Sequence, residues 1–136
     1  MATILVIEDN RANMKLSKLL LANAGHVVLC AVDAESGLML ARSRGPDLIL
    51  MDIQLPGMDG LTATALLKQD AATASIPVIA LTALAMKEDQ KRSQAAGCDG
   101  YIAKPLRYKE LYAAIDSLLL KGSRAAAEPT PFDQTP

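Results

Sequence analysis

The sequence predicts an α/β fold, a doubly wound five-stranded parallel sheet flanked by five helices. Two observations carry that expectation. Short apolar, β-branched runs alternate with helical patterns from the first residues to about position 121. Two of the runs, residues 48–51 within the strand expected over 47–51 and residues 76–81, are apolar without alternation, as suits parallel strands covered on both faces. With 136 residues, the chain has room for one core of ordinary size. Only 3% of its residues are aromatic, so that core is built from Leu, Ile, Val, Ala and Met.

The first strand, residues 3–7, ends in the acids Glu8 and Asp9, and Asn10 then offers a helix N-cap. A helix over residues 11–24 carries Met14, Leu16, Leu19, Leu20 and Ala24 at mixed spacings that include three and four residues, and stops at Gly25. Residues 26–32 read as the second strand, and Asp33 caps a helix that ends near the breakers Gly45 and Pro46. After the third strand, residues 47–51, a helix is expected over 59–69. The fourth strand, residues 76–81, leads to a more polar helix over 86–96 closed by Gly97. Residues 99–103 supply the fifth strand, and a last helix over 108–121 buries Leu111, Ala114, Ile115 and Leu118. From Gly122, prolines and small or polar residues replace the periodic pattern. The domain is therefore expected over 1–121, with a disordered tail over 122–136.

A formal net charge of −1 leaves no basic footprint for DNA or RNA. No apolar run approaches the roughly 20 residues that span a bilayer, and no secretory signal precedes the first strand, so a cytoplasmic protein is expected. Cys30 and Cys98 lack CxxC spacing and read as buried, reduced side chains rather than a disulfide. His26, the only histidine, starts an edge-like strand and reads as a solvent-facing structural residue. Met14, Met39, Met51, Met58 and Met86 read as core filler or loop anchors. The charged run from Lys87 to Arg92 reads as a solvated helix face.

In a doubly wound sheet, sites form at the carboxyl ends of the strands. Three strand ends here carry ionisable groups: Glu8 and Asp9 after the first, Asp52 after the third and Lys104 after the fifth. Converging carboxylates repel one another. A hard divalent cation with oxygen ligands offsets that repulsion, and Lys104 adds one positive charge. An ionised carboxylate in such a setting can attack a phosphoryl group, because phosphoryl transfer is mainly positioning and electrostatics.

The segments Glu8-Asp9-Asn10, Leu50-Met51-Asp52-Ile53-Gln54-Leu55-Pro56-Gly57-Met58-Asp59-Gly60, Leu81-Thr82-Ala83 and Lys104-Pro105 resemble the signature of response-regulator receiver domains. The likeness spans roughly residues 3–120 and is strongest to single-domain receivers of the cell-division regulator type, related to the chemotaxis regulator. It implies the flavodoxin-like receiver fold, with Asp52 as phosphoacceptor and Lys104 and Thr82 acting on the phosphoryl group. It further implies Mg²⁺, replaceable by Mn²⁺, held by Asp9 and Asp52 directly, by Glu8 through water and by the Gln54 backbone carbonyl. Thr82 and Tyr101 would form a coupled switch, Gln54 and Leu84 would tune the lifetime of the phosphorylated state, and Lys104-Pro105 matches a family site with a cis peptide.

The implied partners are a sensor histidine kinase or a histidine phosphotransfer protein upstream. Downstream, a protein partner would meet the surface of helix four, strand five and helix five. A monomer or weak dimer is expected, with no nucleic acid and no membrane. The initiating Met1 and polar tail favour a stand-alone regulator over a fragment of a larger kinase. Three rival readings fare worse. A phosphatase of the haloacid-dehalogenase type needs a second acid where this chain has Gln54, and a nucleotide-binding module needs glycine motifs the chain lacks. A receiver-like scaffold without phosphorylation would not need all of Glu8, Asp9, Asp52, Thr82 and Lys104.

Overall fold

The computed structural model describes residues 2–83 and 87–127. Strands and helices alternate in the order β1 (Thr3–Ile7), α1 (Arg11–Asn23), β2 (Val27–Ala31), α2 (Ala34–Arg44), β3 (Leu48–Asp52), α3 (Gly60–Gln69), β4 (Val78–Thr82), α4 (Lys87–Ala96), β5 (Gly100–Ala103) and α5 (Tyr108–Ala127). All strand pairs are parallel and the sheet order is β2-β1-β3-β4-β5, the doubly wound arrangement expected.

Two apolar layers sandwich the sheet. Leu5, Ile7, Ile49, Met51 and Val78 meet Ala34 and Ala41 of α2 and Ala63 and Leu67 of α3 on one face. On the other, Ile4, Val6, Leu48, Leu50, Ile79 and Leu81 meet Leu21 of α1 and Leu111 and Ile115 of α5. Every residue of β3 and β4 is buried, which accounts for their unbroken apolar sequences. Helix starts follow the side chains that cap them: Asn10, Asp33 and Asp59 accept the backbone N–H groups of Asn13, Ser36 and Thr62 at 2.8–2.9 Å. Gly45 closes α2 in the left-handed region (φ 54°), where a side chain would be strained.

Several expectations need correction. The buried face of α1 is Ser17 and Leu21, whereas Leu16 and Leu19 are 37% and 58% exposed. Leucines crowd this helix, so spacing alone does not fix which stripe faces the sheet. Strand β4 starts at Val78, not at residue 76, and Asp59 caps α3 rather than opening it. Helix α5 runs on to Ala127, because a single Gly122 costs less than the following alanines return in helix propensity. The tail expected over 122–136 thus begins inside that helix, and its part from residue 128 lies outside the described residues. Cys30 is exposed on edge strand β2 and Cys98 half-buried, and both are free thiols. His26 is half-buried rather than solvent-facing: its Nδ1 accepts the Ala2 N–H at 3.1 Å. Met39 is 72% exposed and fills no core. Met86 and Leu84 lie outside the described residues.

Candidate functional site

Glu8 and Asp9 follow β1, Asp52 ends β3, Thr82 ends β4 and Lys104 follows β5, so all five stand at the carboxyl edge of the sheet. Carboxylate oxygens of Glu8, Asp9 and Asp52 lie within 4.8 Å of one another. Asp9 faces solvent, whereas Glu8 and Asp52 are buried. The Lys104 ammonium reaches into the same hollow, 3.1 Å from Glu8 Oε1 and 3.1 Å from Asp52 Oδ2. Its peptide bond to Pro105 is cis, the isomer of the family site that Lys104-Pro105 resembles, which the sequence alone left open.

Each carboxylate is also held from its own loop. The Asn10 N–H donates to Glu8 Oε2 at 3.2 Å, and the Gln54 N–H donates to Asp52 Oδ1 at 2.9 Å. Glu8 Oε1, although beside Lys104, has no well-directed hydrogen bond among the described residues. Burial pushes Glu8 up to about 7, and the neighbouring Asp52 adds to the rise; the Asn10 N–H and Lys104 pull the other way. Burial alone would lower the Lys104 ammonium, but Asp52 and then Glu8 outweigh it, leaving Lys104 raised and firmly charged.

Hard oxygen donors converging with one oxygen lacking a directed partner suit a small divalent cation better than a soft one. The same hollow presents an ammonium to any oxyanion bound there. Gln54 is exposed beside it. Thr82 is buried, aligned with Ala103 on β5, and Tyr101 is half-buried, aligned with Ala80 on β4, so both project to the same side of the sheet. Tyr101 borders a groove of about 250 Å³ with Gln90, Ser93, Gln94 and Cys98.

Gly60 escaped the sequence reading as more than part of a motif. Its close approach to the Asp52 backbone becomes visible only in three dimensions.

A family model described as the response regulator receiver domain matches residues 4–116. The chain belongs to this family, the receiver domains of two-component signalling, and receivers bind Mg²⁺ in an acidic pocket. Among individual proteins it resembles the polar-differentiation response regulator DivK of Brucella ovis, with 44% identity over 117 residues covering 86% of this chain and 95% of that one. DivK of Brucella abortus is equally similar, at 44% identity and the same coverage. The receiver domain of a sensor histidine kinase from Pseudomonas aeruginosa superposes with a TM-score of 0.81 at 32% identity, covering 87% of this chain and 97% of that one. That structure holds a magnesium ion in its active-site cleft. A CheY-like receiver protein from Methanospirillum hungatei gives a TM-score of 0.84 at 28% identity, covering 91% and 98% of the two chains. Among the described residues, no helix is long and apolar enough to cross a membrane.

Proposed function

We propose that Asp52 accepts a phosphoryl group from the phosphohistidine of a sensor kinase or histidine phosphotransfer protein, and that the chain then signals by phosphorylation-dependent protein binding. The observation that carries this reading is the meeting of Glu8, Asp9 and Asp52 within 4.8 Å, with Lys104 3.1 Å from two of them. Asp9 and Asp52, Glu8 through water, and the Gln54 carbonyl would hold Mg²⁺, with Mn²⁺ as an acceptable substitute. When bound, that ion supplies charge neutralisation for the phosphoryl oxygens.

The Gln54 N–H and Lys104 hold the Asp52 carboxylate on its two oxygens, limiting its rotation. A lone pair on that carboxylate forms the new O–P bond as the donor's N–P bond breaks, and the imidazole keeps the electron pair. Lys104 stays charged throughout and faces the oxygens that gain charge, so it stabilises the transition state more than the ground state. Water then attacks slowly, making the chain a self-dephosphorylating signal carrier rather than a turnover enzyme.

The added charge at Asp52 draws the Thr82 hydroxyl inward, and Tyr101 turns into the vacated space. The surface of α4, β5 and α5 is the output face. We place the protein in the cytoplasm as a monomer or weak dimer. The test is incubation with acetyl phosphate and Mg²⁺: the wild type should gain one acid-labile phosphate, and Asp52→Asn should keep its fold and gain none. Full-stoichiometry labelling of Asp52→Asn would refute the assignment.

A further inference from the structure

We infer that Gly60 is a positioning residue for phosphoryl acceptance: lacking a side chain, it lets the start of α3 rest against the peptide that follows Asp52 and so fixes where Asp52 and Gln54 present their oxygens. This rests on the reading of Asp52 as phosphoacceptor. A Cβ at Gly60 would collide with the Asp52 carbonyl oxygen and would lie 2.6 Å from Ile53 Cα and 2.9 Å from the Asp52 carbonyl carbon. All three are backbone atoms, so no rotamer change relieves the clash. Gly37 differs in kind, because the nearest atoms to a Cβ there belong to the Ile7 side chain rather than to backbone, so the crowding falls on core packing and not on the Asp52 loop.

The contact is tied from both sides. The Gly60 N–H donates to the Ile53 carbonyl at 3.2 Å, while the Ile53 N–H donates to Leu81 of β4 at 3.0 Å. The next N–H, that of Gln54, bonds Asp52 Oδ1 at 2.9 Å. On the helix side, Asp59 caps α3 through Thr62 at 2.8 Å, and the Thr64 hydroxyl donates to the Gly60 carbonyl at 2.8 Å. Buried Ala63 anchors the first turn of the helix in the core. A side chain at position 60 must therefore shift either an anchored helix or the segment that aims Asp52.

The test compares the full chain with Gly60→Ala, Asp59→Ala and Leu67→Ala, the last a control that unsettles α3 away from the Asp52 loop. Mg²⁺ affinity is read from amide NMR shifts, phosphorylation rate from acetyl phosphate at saturating Mg²⁺, and Tm from thermal unfolding. Gly60→Ala should weaken Mg²⁺ binding and slow phosphorylation about tenfold each, since misplacement near 1 Å can cost up to about 100-fold. It should also move the Asp52 and Gln54 amide signals before metal is added. Leu67→Ala should lower Tm while keeping wild-type affinity and rate. Wild-type affinity and rate in Gly60→Ala, or an equal loss in Leu67→Ala, would overturn the inference. If Gly60→Ala does not fold, Asp59→Ala decides: freeing the first turn of α3 should weaken Mg²⁺ binding severalfold, and unchanged binding overturns the role. A wild type that binds no Mg²⁺ and takes no phosphate would instead remove the proposed function itself, and this inference with it.

Discussion

Glu8 is the carboxyl group whose protonation the site controls most strongly, and two measurable consequences follow from its rise from 4.5 to about 7. A carboxyl with a folded-state pKa above its unfolded value binds more protons in the fold than in the unfolded chain between those pH values. Its contribution to stability is therefore complete below the unfolded value and is lost as pH rises through about 7. Denaturant titrations of metal-free protein from about pH 5 to pH 8 should show this decline, and Glu8→Gln should remove it. In the proposed site Mg²⁺ would reverse the preference, because Glu8 must be ionised to hold a metal-bound water; metal affinity should climb across the same range, with proton release in calorimetry. Lys104→Ala should keep the fold and slow phosphorylation by about 100-fold, the scale for one oxyanion-stabilising donor, as read by the initial rate with acetyl phosphate. The identities of these residues were legible because ionisable groups recur at strand ends in a set order. Which neighbour is buried was not legible: Glu8 and Asp9 are adjacent and alike in charge, and only the packed loop turns one inward and the other to solvent.

Among the elements, the existence and order of all ten could be read from alternation and breakers, while faces and ends could not. Helix α1 shows why. Its leucines at 16, 19, 20 and 21 allow more than one apolar stripe, and the chosen one buries Ser17 completely beside Leu21. The Ser17 hydroxyl has no hydrogen-bond partner among the described residues. Ser17→Ala removes an unpaired polar atom and improves helix propensity, so it should raise stability by about 1 kcal/mol in chemical denaturation. Capping, by contrast, was readable at Asn10 and Asp33, because a short polar side chain just before an apolar period has few other uses.

For the whole molecule, alternation implies a parallel sheet but does not say which strands are neighbours; the order β2-β1-β3-β4-β5 emerges only from pairing. Cross-sheet ties were equally hidden. Lys68 of α3 donates to the carbonyls of Ala74 and Ile76 at 3.2 and 2.8 Å and to Asp99 at 3.0 Å, while Asp99 also accepts the Val78 N–H at 2.9 Å. These bonds join α3, the approach to β4 and the start of β5 across 31 residues of sequence. Asp99→Ala should cost about 1.5 kcal/mol in urea unfolding and leave Mg²⁺ affinity unchanged, since the tie lies at the other end of the strands. The sheet order also gives the molecule two chemically distinct borders. Cys30 is exposed on β2, at the border away from β5, while burial slows Cys98 by pushing its thiol up. A maleimide dye therefore couples first to a single known strand, tethering the protein to a surface or fluorophore with α4 and β5 left bare for whatever ligand is passed over them.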